Sequence, residues 1–412
     1  MNLWRTFVLL CAFPILSFGQ NENTEEQIKQ LEQRLESISL EHDSIKLELE
    51  GLRLIKLNTD LLENGLPKLN DGDELIVHSA MALVYSEDHE QAKWVAHIIL
   101  PAIETGKVGR TNNFRKDPKV STGTAVKADY WYSGYDRGHL APSADFRWSE
   151  KALSESYYYS NMSPQLPEFN RKSWAALEDR LRRYVIFNKE QLYIVTGPVL
   201  TDDLLIMENE GHKNNVSIPV WYYKVVVDLE GDEKKGIAYL MKNGVNDHPV
   251  VSYTVPIDSI ETLTGIDFFS SLSTELQNHL ESDSDHSRWG HEDDPYFGEV
   301  APMKAPLPKG MFNTVQAKYQ NGKTVTICGT VVSTKRTSKS NALYLNLDRK
   351  YPNQIFYATI WNYNSMNFAY DPEHDLVNKK ICVSGKVSVY DEIPRISVNN
   401  ENEITLWEEV NK

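Results

Sequence analysis

Cysteine is scarce in this chain: Cys11, Cys328 and Cys382 are the only three among 412 residues. Thiols so few and so widely spaced build neither a zinc cluster nor a disulfide framework, and they give redox catalysis no support. Basic residues are outnumbered as well, 43 Lys and Arg against 58 Asp and Glu, for a formal charge of −15. That balance argues against a protein that coats nucleic acid indiscriminately. The apolar run over residues 7–16 is marginal for a bilayer crossing and contains Pro14. With Arg5 ahead of it and Ser17 and Gly19 behind, it reads as a secretory signal peptide over residues 1–20, cleaved near Gly19 or Gln20; a retained anchor is the alternative. The mature chain is then expected to be secreted or periplasmic, with no stable membrane span. Once Cys11 leaves with the signal, Cys328 and Cys382 are free to form one bridge in an exported chain.

What is present is a globular composition, 41% apolar and 25% charged, on a chain long enough for two or more packing units. Residues 21–64 carry 5 Lys and Arg against 11 Asp and Glu, residues 105–190 carry 15 against 10, and residues 309–412 carry 13 against 10, so an acidic segment precedes two basic ones. From Ile28, the residues Leu31, Leu35, Ile38, Ile45, Leu49 and Leu52 recur three and four apart. This predicts a helical, coiled-coil-like segment over 21–66 and a homo-oligomer joined through residues 28–52; a lone amphipathic helix folded onto its own domain is the alternative. Residues 70–290 read as a mixed domain, with strands at 74–77, 81–85, 191–195, 216–227 and 236–241 and helices at 89–99, 257–263 and 268–280. Residues 281–310 turn polar and rich in Pro and Gly, which predicts a linker centred on 291–310 with His286 and His291 in solvent. Alternating runs at 324–332, 342–347, 354–360, 380–389 and 395–398 predict a small closed or nearly closed β barrel over 311–412. If its first and fourth strands pair, Cys328 and Cys382 face each other and can bridge; two free buried thiols are the alternative.

The stretch that carries chemistry begins Asp136-Arg137-Gly138-His139-Leu140-Ala141-Pro142. It continues through Ser160-Asn161-Met162-Ser163-Pro164-Gln165 and closes with Phe169-Asn170-Arg171-Lys172-Ser173-Trp174-Ala175-Ala176-Leu177-Glu178. A helix starting near Asn170 presents Asn170, Trp174 and Glu178 along neighbouring turns. Hydrolysis of a phosphodiester needs an activated water, a cation for the phosphate oxygens and help for the departing oxygen. An imidazole such as His139 can take a proton from water near neutral pH. Asn170 offers a neutral oxygen suited to a hard cation such as Mg²⁺, and Glu178 can orient a water on that cation. Arg137 can fork onto phosphate oxygens, and Gly138 admits close packing. Singly, each has a plainer reading: Asn170 as a helix N-cap, Trp174 as core, residues 178–183 as a charged helix face, His139 as a structural residue beside an arginine. Their combination is what points to phosphodiester chemistry.

That combination resembles the DNA/RNA non-specific endonuclease family, whose members include mitochondrial endonuclease G and secreted bacterial nucleases, and the similarity runs over about residues 75–290. The resemblance implies an α+β fold in which a central antiparallel sheet flanked by helices carries a ββα-metal nuclease core. It implies a Mg²⁺-dependent enzyme, with Mn²⁺ or another divalent ion as substitute, that cuts DNA and RNA without regard for sequence and leaves 5′-phosphate ends. By the same resemblance His139 is the general base and Asn170 the only direct protein ligand of the metal. Glu178 then holds metal-bound water, Asn161 keeps the site in shape and Arg137 positions phosphate. The family also sets an upstream arginine against transition-state charge; Arg110 and Arg115 are the two candidates and Arg110 is preferred, although the register places Asn112 at that position, and Arg115 and Arg171 are expected to touch nucleic acid. Residues 311–407 resemble an OB-fold nucleic-acid-binding domain, in which Lys335, Arg336 and Lys339 of the first hairpin hold a backbone while Tyr344, Phe356, Tyr357 and Trp361 divide between base stacking and core. Two rival readings follow from the same residues: a secreted nucleic-acid-binding protein without catalysis, and a phosphodiesterase for small phosphoesters.

Overall fold

The computed structural model describes residues 21–231, 233–291, 294 and 298–410. The expected signal peptide lies outside them. The chain divides into two units, one ending at Ile55 and one starting at Lys56. Helix α1 (Asn21–Asn64) is continuous through Gly51. In the first unit its apolar residues Ile28, Leu31, Leu35, Ile38, Ile45 and Leu52 are all exposed. In the second unit its last turns bury Leu57 and Leu61, and the Gly65 N–H closes the end on the Leu61 carbonyl. Among the described residues no helix is long and apolar enough to cross a membrane.

The second unit opens with β1 (Leu75–Val77), β2 (Met81–Ser86) and β3 (Gln91–Ile99), followed by α2 (Lys127–Tyr130), β4 (Asp136–His139), α3 (Glu150–Glu155) and β5 (Met162–Gln165). A π-helical turn (Phe169–Trp174) runs into α4 (Ala175–Asn188). Then come β6 (Leu192–Pro198), β7 (Trp221–Asp228), β8 (Lys235–Lys242), β9 (Thr254–Val255), α5 (Ile257–Thr264) and α6 (Thr274–Glu281). An antiparallel sheet in the order β1-β2-β3-β6-β7-β8-β9 forms the core, while β4 and β5 pair apart from it as a two-stranded ribbon.

Four expectations are corrected here. The expected helix over 89–99 is instead a turn at 89–90 followed by strand β3: nearly all of the strand is buried, so apolar residues occupy successive positions and the alternation that marks a half-exposed strand is absent. The run 216–227 becomes a strand only at Trp221, after Pro219, which has no N–H for a ladder. Helix α6 starts at Thr274 behind its cap Ser273, because Phe268 and Phe269 lie buried in a turn where Phe269 takes φ 51°. The expected linker is packed rather than solvated at several points: Trp289 is buried against Tyr184, Glu299 is buried, and His286 Nδ1 lies 3.2 Å from the Tyr239 hydroxyl.

The C-terminal strands are β10 (Met311–Asn313), β11 (Thr324–Arg336), β12 (Leu343–Leu347), β13 (Phe356–Ile360), β14 (Lys380–Tyr390), β15 (Ile393–Val398) and β16 (Ile404–Leu406). Strands β11, β12, β13, β15 and β14 pair in that order and β14 returns to β11, closing a five-stranded barrel in which β13 and β15 are parallel. Ile327, Val331, Leu345, Phe356, Val387 and Ile396 fill it. Of the four aromatics weighed for stacking, Phe356 and Tyr357 are buried and Tyr344 and Trp361 half-buried. Cys328 and Cys382 are register partners on β11 and β14, and their sulfurs are bonded across a separation of 54 residues. Closing a loop of that size removes entropy from the unfolded chain worth about 4 kcal/mol. Cys328→Ser with Cys382→Ser is therefore expected to lower barrel stability by up to that amount in a denaturant titration; a loss under about 1 kcal/mol would show that the barrel needs no such constraint.

Candidate active site

The site is built on the β4–β5 ribbon and the helix that follows it. Asp136 pairs with Gln165 and His139 with Met162. A Cβ on Gly138 would fall 2.1 Å from Cδ of Gln165, so the ribbon closes only over a glycine. Beyond His139 the chain is held by Asn161, which is fully buried. Its Oδ1 accepts from the Ala141 N–H at 2.9 Å, and its Nδ2 donates to the carbonyls of Ala141 and Ser156 at 2.9 and 2.8 Å. These bonds fix the loop leaving the ribbon, a positioning task that an amide performs with both ends at once.

The helix starts before Asn170, whose N–H already bonds the Leu166 carbonyl, so Asn170 is not its N-cap. Trp174 is core, packed between Phe169 and Tyr222. The Asn170 side chain is oriented by Asp136, whose Oδ2 accepts from Asn170 Nδ2 at 2.9 Å. With the amide nitrogen committed to a carboxylate, the oxygen is the end left to offer. Burial pushes the Asp136 carboxyl up, but Arg171, donating through Nε at 2.8 Å and Nη2 at 2.6 Å, and Asn170 outweigh it and hold its pKa below the ordinary value.

His139 lies half-buried between Phe114 and Tyr157, with its Nε2 enclosed and without a hydrogen-bond partner. Burial, then the charges of Arg110 and Arg137, lower its pKa to about 3, so the ring is neutral at neutral pH, the form a general base requires. A cavity of about 430 Å³ beside it is lined by Arg110, Asn112, Asp136, Arg137, Asn170 and Arg171, together with a group of aromatic residues. Arg110 Nε donates to Asn112 Oδ1 at 3.0 Å, so of the two arginines weighed for the upstream position Arg110 reaches this cavity, beside the register residue Asn112, and Arg115 does not line it. The guanidinium of Arg137 stacks 3.9 Å over the Phe114 ring. Neither His139 nor Glu178 is part of the lining.

Glu178 is half-buried. Burial raises its pKa to about 7 against the pull of Lys224 and Arg182. Lys224, buried, donates to Thr196 Oγ1 at 2.6 Å, and burial lowers its pKa to about 8. Asp145 lies nearby, accepting from Arg182 Nη1 at 2.9 Å and from His97 Nε2 at 3.0 Å. Residues 178–183 are thus no solvated charged face: Arg182 pairs with Asp145, and Arg180, 8% exposed, pairs with Glu299. Sequence reasoning missed Lys224, His97 and Asp145, and it gave Asp136 no role although Asp136 opens the motif.

Other expected contacts are engaged elsewhere. Arg115 donates to the Ser154 carbonyl at 2.8 Å and stacks on Tyr158, securing the end of α3 rather than facing the cavity. On the barrel Arg336 Nε donates to Glu373 at 2.6 Å, while Lys335 and Lys339 are exposed. Among the described residues one trio of carboxylates, Asp258, Glu261 and Glu281, is close enough to share an ion, and it contains none of the residues around His139.

A family model described as DNA/RNA non-specific endonuclease matches residues 57–275. A nuclease of Nostoc sp. is 36% identical over 231 residues, 53% of this chain and 81% of its own length. Human mitochondrial endonuclease G is 33% identical over 227 residues, 52% of this chain and 74% of its own. Among solved structures, that of an EndoG/EndoGI complex, described as revealing the mechanism of EndoG inhibition, aligns at 30% identity and a TM-score of 0.46, covering 53% of this chain and 92% of that one.

Asp145→Ala leaves Arg182 charged in a half-closed setting and His97 without its acceptor, and is expected to cost about 3–5 kcal/mol in chemical denaturation. Burial pushes the Asp145 carboxyl up, yet His97 and Arg182 hold it below its ordinary value, so its contribution is present at neutral pH and is lost on acidification. The variant should therefore lose stability less steeply than wild type as pH falls through the carboxylate range; parallel acid limbs would show that Asp145 is not the group that titrates.

Proposed function

We propose, from the premise that this chain belongs to the DNA/RNA non-specific endonuclease family and is a nuclease, that it hydrolyses DNA and RNA at the cavity beside Asn170, with a divalent cation as cofactor. The observation that carries this reading is the amide of Asn170, oriented by Asp136 so that its oxygen is the end left to offer at a cavity also lined by Arg110, Arg137 and Asp136, the residue that begins the strand ending in a neutral His139. The donor set fits a hard cation: Asn170 would hold it directly and Glu178 would steady a water beside it. When bound, Mg²⁺ or a substitute such as Mn²⁺ supplies positive charge to the phosphate and to the departing oxygen.

The chain's own groups account for the rest. Arg110 and Arg137 bind the phosphate oxygens and oppose the charge that grows on them. His139 removes a proton from the attacking water, the new bond forms at phosphorus, and the bond to the 3′-oxygen breaks as that oxygen takes up a proton from solvent, leaving a 5′-phosphate and a 3′-hydroxyl. Contacts made to phosphate carry no base code, which accounts for indifference to sequence. The β4–β5 ribbon followed by its helix supports a ββα-metal core. The closed barrel, with its third and fifth strands parallel, supports an OB-like domain that holds substrate through Lys335 and Lys339. Export to the periplasm or beyond, and self-association through the exposed stripe of α1, complete the reading.

The test is digestion of supercoiled DNA, linear duplex, single strands and RNA, with Mg²⁺ or EDTA. Wild type should degrade all four only with metal, His139→Ala should lose about 10²–10⁴-fold in rate, and Asn170→Ala should lose cleavage. Binding without cleavage would sink the catalytic reading, and activity confined to small phosphoesters would replace it. Asp136→Ala removes the acceptor that orients Asn170 and should raise the Mg²⁺ concentration needed for half-maximal rate about 10- to 100-fold.

A further inference from the structure

The cavity that contains Asn170 is also lined by Lys127, Tyr130, Trp131, Tyr132 and Tyr135. Two of these rings have no folding role to explain them. Tyr132 is 90% exposed and Trp131 is 50% exposed, so neither is there to fill a core. Tyr132 also adopts φ 57°, a left-handed conformation that glycine enters freely and a bulky side chain enters under strain. An exposed aromatic kept in a strained backbone, at a cavity with arginines and a metal-ligating amide, points to a ligand rather than to stability. The two rings meet edge to face with centroids 5.4 Å apart, and Lys127 Nζ sits 4.2 Å over the Trp131 ring. The result is a braced aromatic pair carrying a positive charge, beside the groups that would seat a phosphate.

We propose that Trp131 and Tyr132 form a base-binding subsite that stacks one unpaired nucleobase adjoining the phosphate held by Arg110 and Arg137. The inference rests on the nuclease reading above and adds a substrate preference to it. Every base presents a π face, so stacking leaves the enzyme indifferent to sequence. In a duplex the same base is already stacked and paired, and bringing it to a protein ring costs the energy of extracting it. The subsite therefore favours single-stranded DNA and unpaired RNA over duplex. Lys127, beside Trp131, adds attraction for the strand's backbone.

The test measures kcat and KM on short single-stranded DNA, unpaired RNA and duplex DNA for wild type, Tyr132→Gly, Tyr132→Phe and Trp131→Ala. Tyr132→Gly should raise KM for both single-stranded substrates by roughly 5- to 100-fold, with a much smaller change on duplex, while Tyr132→Phe stays near wild type. Because glycine relieves the positive φ, Tyr132→Gly should unfold at the wild-type temperature or above, which separates lost binding from lost folding. On an oligomer of tetrahydrofuran abasic units wild type should show the same rise in KM, and the substitution and the missing bases should not add. Unchanged single-strand KM in both Tyr132→Gly and Trp131→Ala, or an equal loss on duplex, would overturn the subsite and leave the nuclease standing. A wild-type protein that cuts no nucleic acid at all would instead remove the nuclease reading, and the subsite with it.

Discussion

Asp136 decides which atom of Asn170 is left to face the cavity. An asparagine side chain has a donating end and an accepting end of nearly the same shape, and only a partner of fixed polarity can tell them apart. The ionised carboxylate of Asp136 accepts from the Asn170 amide on one oxygen and from Arg171 through both, so it can bind only the donating end. Asp136 is in turn fixed by the ribbon it begins, and that ribbon closes against β5 only because Gly138 has no side chain to strike Gln165. The motif Asp136-Arg137-Gly138-His139 is therefore a single mechanical object. Its first residue orients Asn170, its second and fourth pack their side chains against Phe114, and its third lets the strand lie where the other three need it.

Behind this surface lies a layer of buried charge that α4 shares with the central sheet. Lys224 from β7, Arg182 and Glu178 from α4, and Asp145 from the loop after β4 are close enough to influence one another, with His97 of β3 closing the set. Such groups are costly to bury singly and acceptable only as an ensemble, so they fix how α4 lies against the sheet. Within this layer burial pushes the Glu178 carboxyl up, while Lys224 and Arg182 pull it back.

Much of this was legible because the chemistry is local. Residues 136–178 hold the ribbon, the Asn161 clamp and the first turns of the helix, and their types and spacings stand in the chain as they stand in space. The barrel was legible for a different reason: its short apolar strands are set off by polar turns, β15 alternates buried with more exposed positions, and the pairing of the first with the fourth brings Cys328 to Cys382. Strand β3 was misread because a strand buried on both faces loses its period. Lys224 and His97 stayed hidden because they join α4 from strands far off in sequence, where each looks like a polar break in an apolar run. Arg110 could not be chosen over Asn112 by register, since what matters is the reach of a long side chain into the cavity, and backbone alignment does not record reach. Nor does sequence announce a positive φ at a tyrosine.

Glu299 is the buried carboxylate that Arg180 of α4 and Arg349 of the barrel both contact. Two domains that share a counter-ion are not joined as beads on a string, because neither can leave without stranding a charge in the other. The segment between them therefore acts as a rivet, and dividing the chain there would loosen the hold on the helix that follows Asn170. A displacement of the barrel at Arg349 is thereby felt by α4 through Glu299 and Arg180, without passing through the sheet.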